Sequence, residues 1–387
     1  MRLLYVSADP GIPILGHKGA SVHVRELVTA LTAEGASVAI ASPRIHPEGD
    51  SLDAQVDFVE IIPIVAKQHG SEASLCAAID DQARELTRVA ERLGASAIYE
   101  RYSLHSRAGA EAAEALDLPY VLEVNAPLRD EAHQFRSLAY PDVAAETEAR
   151  VYGRADRIFA VSSPLAALLR RKGVHSDKLE VLRNAVTPTK FAPHRAGAGF
   201  TVGFAGSLKS WHGVEVLADA FRSAATAVPD LRLEVVGDGP VASVLDRVDL
   251  APERFTRYGA RPHAETLRVL ASWDVGVAPY LVTSPTFYFS PLKVVEYMAA
   301  GACPVASDLG EIRSLLGEGE RGVLVPPGDR AALASALVEL ATDRGRAAHL
   351  GARARSYAHG SLSWRRNARR ALDCVRSARP RAANAYA

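Results

Sequence analysis

The residues best placed to do chemistry lie in "YFSPLKVVEYMAAGACPVAS", residues 288–307, where a lone carboxylate, Glu296, sits in an otherwise apolar helical stretch. Ser290 suits the N-cap and Pro291 the first helical position, so the spacing predicts a helix that starts there and runs to Gly301. The start of such a helix is an anion site: its first backbone N–H groups lack partners within the helix, and the helix dipole adds partial positive charge. Leu292 and Lys293 complete the first turn, and Lys293 adds a full charge. Glu296 follows roughly 7.5 Å further along the axis, and helical side chains lean back toward the N-terminus. A diphosphate at the helix start would therefore bring an attached ribose to Glu296, whose carboxylate accepts hydrogen bonds from sugar hydroxyls. The alternative is a solvent-facing carboxylate that caps nothing.

A second constellation is "GFAGSLKSWHGVEVLADAF", residues 203–221, which reads as a strand, a loop carrying Gly206, Ser207, Lys209 and His212, and a helix. A glycine-bearing loop at the carboxyl end of a strand is where an open α/β sheet binds phosphate. Lys209 would stabilise a departing diphosphate. "VVGDGP", residues 235–240, adds Gly237 and Gly239 on the same rim. In the N-terminal half, "PGIPILGHKGASVHV" is a glycine-punctuated loop ahead of a helix, in which Gly16 permits close backbone approach and His17 stands beside it. His23 near the helix start reads equally as a ligand contact or as a satisfied helix residue. Glu100 and Arg101, with His105, follow one strand, and Glu123, Asn125 and Arg129 follow the next. These are candidates for recognising an acceptor, or else structural ion pairs.

The elements that must position these groups show the βαβ rhythm. "RLLYVSA", "SVHVRELVTALTAEG" and "SVAIAS" alternate short apolar runs with an amphipathic stretch, and Val24, Leu27, Val28 and Leu31 share one helical face ahead of Gly35. Further strands are expected at "SAIYE", "YVLEVN", "RIFAVS" and "LEVLRNAV". The segment 184–199, "NAVTPTKFAPHRAGAG", has no apolar period and reads as a linker. After it the rhythm restarts at "FTVGFAG" and continues through "LRLEVVGDG", "DVGVAPY", "CPVAS" and "GVLVPPGD". The class is α/β, with two doubly wound parallel-sheet domains hinged about a cleft.

A chain of 387 residues suits two domains. Its 45 basic residues balance 45 acidic ones, which argues against nucleic acid as a partner. Cys76, Cys303 and Cys374 lack any metal or disulfide spacing, and no stretch reaches membrane-spanning length. A cytoplasmic protein is expected, with peripheral membrane contact not favoured. The arginine-rich "RRNARRALDCVRSARPRAANAYA" reads as a surface-binding tail or as a solvated last helix.

Together these stretches resemble the family 4 retaining glycosyltransferases, over nearly the whole chain. The glycine loop leading to His23, "ADRIFAVSSPL", "VLRNAV", "GFAGSLKSWHGV", "VVGDGP", "SPLKVVEYMAAGACPVAS" and "GVLVPPGD" occur in the family's order. The resemblance implies the GT-B fold: residues 1–186 as the acceptor domain, with a terminal helix at about 364–387 packing back on it, and 187–363 as the nucleotide-sugar domain. It implies a nucleoside diphosphate sugar, UDP-sugar favoured, and transfer of a hexose or N-acetylhexosamine with retention. The acceptor would be a saccharide, an aminocyclitol or a natural product. No metal or other cofactor is implied, and domain closure would exclude water. Glu296 matches the second glutamate of the family's Glu, seven residues, Glu motif, and Lys209 and His212 its basic phosphate-binding pair. Lys209, Glu296 and His23 are then the expected catalytic set, Gly16 would lie near the phosphates or the acceptor, and His17 would meet the acceptor. The first glutamate falls at Tyr288, and a histidine common after the fourth strand is replaced around Asn125. These departures keep open a noncatalytic subunit, or an epimerase or phosphorylase of the same fold.

Overall fold

The computed structural model describes residues 1–45, 50–194, 197, 199–248, 251–284 and 286–378. They form two compact units, one of Met1–Arg183 with the chain from Arg365 onward, the other of Asn184–Trp364.

In the first unit β1 (Arg2–Ser7), β2 (Ser37–Ser42), β3 (Asp57–Glu60), β4 (Ala97–Arg101), β5 (Tyr120–Val124), β6 (Arg157–Ala160) and β7 (Leu179–Val181) make one sheet in the order β3-β2-β1-β4-β5-β6-β7. Every pairing is parallel. A parallel sheet is covered on both faces, so its central strands are apolar runs rather than alternating ones. In the Gly19–Ala33 helix Val24, Leu27, Val28 and Leu31 are fully buried, as their spacing predicts. Gly35, at φ +88°, ends that stretch in the left-handed conformation that glycine tolerates.

The second unit contains β8 (Phe200–Ala205), β9 (Leu231–Val236), β10 (Phe255–Gly259), β11 (Val275–Ala278), β12 (Cys303–Ser307) and β13 (Val323–Val325), parallel in the order β10-β9-β8-β11-β12-β13. Strand order reverses between β1 and β4 in one sheet and between β8 and β11 in the other. At such a reversal the connecting helices depart to opposite faces and leave a crevice at the carboxyl ends of the strands.

The described part of the stretch that reads as a linker is held to the second unit. Asn184 donates from its backbone N–H to Ser290 Oγ at 3.0 Å and from Nδ2 to Ser290 O at 2.8 Å. Val186 bridges to Ser363, and Phe191 is buried. The chain thus enters the second unit abruptly at Asn184. The Trp364–Ser377 helix returns to the first unit, where Arg365 and Arg369 pair with Glu34, Arg370 pairs with Glu180, and Asn367 Nδ2 donates to Arg183 O. Those three arginines are thus engaged within their own unit.

Candidate functional site

In the second unit three loops meet where strand order reverses. After β8 the chain turns at Gly206, φ +138°, and passes Lys209 and the Ser210–His212 turn before the Val214–Ala227 helix. The loop after β11 interlocks with it. Leu281 donates to Trp211 O, and a Cβ on Gly213 would stand 1.8 Å from the Pro279 carbonyl oxygen. The loop after β9 closes the set, with Leu208 N–H donating to Asp238 O. A Cβ on Gly237 would lie 2.0 Å from Gly206 O, and one on Gly239 2.5 Å from Leu208 O. Backbone packing between the loops thus requires glycine at both positions.

The Leu292–Ala300 helix begins at this rim and ends at Gly301, φ +89°. Its start differs from the expected one: Pro291 holds the N-cap position, and the Ser290 hydroxyl accepts from Asn184 instead of capping. Tyr297 fixes the helix on the sheet. Its hydroxyl accepts from Ala205 N–H at 2.8 Å, and its ring lies where a Cβ on Gly276 would be, 2.4 Å away. Residues three apart share a helical face, so Lys293 and Glu296 project together.

Lys293 is the electrostatic centre of the rim. The residue is half-buried, but its Nζ is shielded from solvent and has no hydrogen-bond partner among the described residues. The ammonium sits 4.1 Å from the Phe204 ring centroid and 5.2 Å from that of Tyr280. A Cβ on Gly206 would come within 2.9 Å of it, so glycine there keeps the space around the cation open. Burial pushes the Lys293 pKa down to about 7, against the opposing pull of the Glu296 carboxylate. Glu296 is itself buried, and its Oε1 accepts from His263 Nε2 at 2.7 Å.

His212 does not supply the second cation expected of it. Its Nδ1 contacts Ser207 O, its ring packs edge-on against Tyr280 at 5.5 Å, and burial and the nearby Lys293 charge push its pKa down to about 3. The imidazole is neutral at physiological pH. Lys209 lies on the same loop with its Nζ 4.7 Å from the Trp211 ring centroid, while the Ser207 side chain is exposed. Tyr288 is buried against Phe289.

In the first unit the register aligns Ser7, Arg101 and Glu123 at the ends of β1, β4 and β5. Glu123 is enclosed: it accepts from Tyr99 OH at 2.8 Å and from Arg101 Nη1 at 3.2 Å, and its Oε1 lies 2.8 Å from His23 Nε2. Burial alone would raise its pKa; His23 and Arg101 bring it down to about 2. His23, Arg101 and Glu123 thus form an internal polar cluster around one ion pair, Arg101–Glu123. Glu100 points the other way, because neighbouring residues of a strand face opposite sides of the sheet. It accepts from Tyr120 OH at 2.5 Å, and burial raises it to about 7. It therefore cannot share a site with Glu123. Arg129 pairs with Glu148 at 3.2 Å, and His17 with Asp50 at 3.2 Å. Gly16 is fixed in its turn by Arg25, which donates to its carbonyl. Asn125 keeps a shielded Oδ1 without a partner among the described residues, as does His105 at Nε2.

Sequence reasoning missed His263, which stands 33 residues before its partner Glu296. The only signal was its place at a helix start after a strand, and that strand, β10, was itself unread. Among the described residues no group of three His, Cys, Asp or Glu could hold a metal ion, and no helix is long and apolar enough to cross a membrane.

Residues 199–343 match the family model described as "Glycosyl transferases group 1", and residues 18–185 match "Glycosyl transferase 4-like domain". Phosphatidyl-myo-inositol mannosyltransferase of Mycobacterium leprae is 35% identical over 183 residues, covering 46% of this chain and 48% of that protein. The match thus spans about half the length of that relative. D-inositol 3-phosphate glycosyltransferase of Xylanimonas cellulosilytica is 28% identical over 94% of this chain and 92% of its own. Among solved structures, sucrose-phosphate synthase from Thermosynechococcus elongatus superposes with a TM-score of 0.73 at 19% identity, over 97% of this chain and 98% of that one. Anabaena HepE in complex with UDP and glucose gives 0.72 at 17% identity, over 98% of this chain and 100% of that one. These likenesses establish the fold as GT-B.

Proposed function

The chain belongs to the family 4 type glycosyltransferases, and on that footing we propose that it transfers a sugar from a nucleoside diphosphate sugar to a hydroxyl of a small-molecule or glycan acceptor. The observation that carries this reading is the unpartnered Lys293 ammonium at the start of a helix, with the Glu296 carboxylate one turn further on. A shielded cation without a hydrogen-bond acceptor is costly, and a diphosphate is an anion that fits a helix N-terminus. Backbone N–H groups and Lys293 take the phosphates, Glu296 takes the ribose hydroxyls, and Lys209 approaches from the facing loop.

In the reaction the bond from the anomeric carbon to the diphosphate oxygen breaks, and the acceptor oxygen bonds to that carbon on the same face. The acceptor proton passes to the departing phosphate oxygen. The protein's part is to stabilise the negative charge that grows on the leaving group. Such a scheme needs neither a protein nucleophile nor a metal, and the anomeric configuration is retained. UDP-sugars are the donors to try first, and the cytoplasm is the compartment we assign. The relatives with inositol in their names make cyclitols the first acceptor class to screen, followed by saccharides and natural products.

Calorimetric titration with UDP, GDP, ADP and TDP, without and then with magnesium, tests the reading. Metal-independent binding of one nucleotide is expected. Binding of none would favour a noncatalytic subunit, the reading that buried Tyr288 and neutral His212 support.

A further inference from the structure

We propose that His263 is a positioning residue of the donor site: by holding Glu296 it aims the carboxylate at the ribose and keeps it from neutralising Lys293. The inference rests on the reading of Glu296 as the ribose acceptor. A carboxylate only accepts hydrogen bonds, so at 2.7 Å the proton lies on His263 Nε2. That bond occupies Oε1 and leaves Oε2, which accepts no hydrogen bond from the described residues, to a ligand's hydroxyls.

The need for such a residue follows from helix geometry. Lys293 and Glu296 are three residues apart on one face, a spacing at which a lysine and a glutamate ordinarily pair. In this structure they do not, and the Lys293 Nζ has no hydrogen-bond partner among the described residues. A free glutamate side chain has three rotatable bonds with which to swing onto the ammonium, and pairing would spend the charge that a diphosphate needs. His263 competes for the carboxylate from a fixed place. It is the first residue of the His263–Leu270 helix, whose Leu267 and Leu270 are buried in one apolar cluster with Val294, Val295 and Met298 of the Leu292–Ala300 helix. The imidazole is thus carried by an element packed against the helix it serves.

The test is ribose discrimination, which a merely structural role would not move. The best-bound of UDP, GDP and ADP is compared with its 2′-deoxy and 3′-deoxy forms by calorimetry of the full chain. A hydroxyl donating to a carboxylate is worth about tenfold or more in affinity, so the wild type is expected to favour the ribonucleotide by that margin. Glu296→Ala should bring the ratio to about one. His263→Ala should bring it to about threefold or less, with weaker binding of every form as Lys293 becomes paired. His263→Gln places an amide N–H near the position of Nε2 and should restore the ratio to within about twofold of wild type. If His263→Ala does not fold, His263→Leu against His263→Gln makes the same comparison.

A His263→Ala protein that discriminates like the wild type, while Glu296→Ala does not, overturns the positioning role and leaves the donor site standing. Absence of nucleotide binding in the wild type removes the donor site, and the positioning role with it.

Discussion

At Lys293 an ammonium is shielded from water without a hydrogen-bond acceptor, and its pKa falls to about 7 because burial favours the neutral amine. A bound diphosphate favours the charged form and raises that pKa. Binding should then take up a proton: the affinity gain is fully present below the free protein's value of about 7 and is lost as pH rises through the higher value of the complex. Titrations at pH 8 in buffers of different ionisation enthalpy should show this uptake, and identical heats in all of them would contradict it. Lys293→Met should remove the effect and raise stability by roughly 1 to 3 kcal/mol, since it removes an unsatisfied buried donor. Glu100 carries a related strain on the far face of the first sheet, raised to about 7 by burial. Its contribution is fully present below the ordinary carboxylate range and is lost as pH rises through about 7. Glu100→Gln should therefore stabilise by on the order of 2 kcal/mol at pH 8 and much less at pH 5, read from melting curves at both. The sequence shows Lys293 and Glu296 because a helix start advertises itself. It does not separate Glu100 from Glu123, because which face each takes depends on where its strand ends.

Among the buried side chains of the Leu292–Ala300 helix, Tyr297 is the one that hydrogen-bonds to the sheet. The Tyr297 hydroxyl accepts from Ala205 N–H at the last residue of β8, and its ring fills the space left by Gly276. Tyr297→Phe keeps the ring and removes the acceptor, so a buried backbone donor goes unpaired at a cost of about 1 to 3 kcal/mol. Because that bond joins the helix to the strand whose loop carries Gly206, nucleotide affinity should fall together with the melting temperature. A loss of stability with unchanged affinity would show that the phosphate end is seated some other way. The extent of the helix is legible from Pro291 and Gly301, and its first turn starts one residue later than the spacing predicts. Apolar runs marked most of the strands, since parallel strands buried on both faces have little polar content. β3 and β10, "DFVE" and "FTRYG", escaped for the same reason: at the sheet edges they are only partly covered and keep charged residues. Missing β10 concealed His263, whose helix follows it.

Across the whole molecule the chain passes between its two units twice, at Arg183/Asn184 and again at Trp364/Arg365. The second passage was implied by the family resemblance and not by the residues themselves, because Glu34 and Glu180, the partners of the terminal arginines, lie 331 and 190 residues away from Arg365 and Arg370. Two contributions tie the terminal helix down, and their magnitudes differ. The ion pairs are largely exposed, so solvent and salt screen them and they contribute little. The apolar face buries Leu372 and Val375 with Ala368, Ala371 and Cys374, on the order of 5 kcal/mol in sum. That is comparable with the whole stability of a domain, roughly 5 to 15 kcal/mol. Replacing Arg365, Arg369 and Arg370 with glutamine should then leave the melting profile nearly unchanged. Ending the chain at Trp364 should unfold the first unit or lower its transition by about 10 °C or more, while the second unit, which keeps Lys209, Lys293 and Glu296, still binds nucleotide. Scanning calorimetry of the shortened chain with and without nucleotide decides the matter. A surviving transition that nucleotide shifts upward confirms that Asn184–Trp364 holds the donor site by itself, and loss of both the transition and binding means that the two units share one stability.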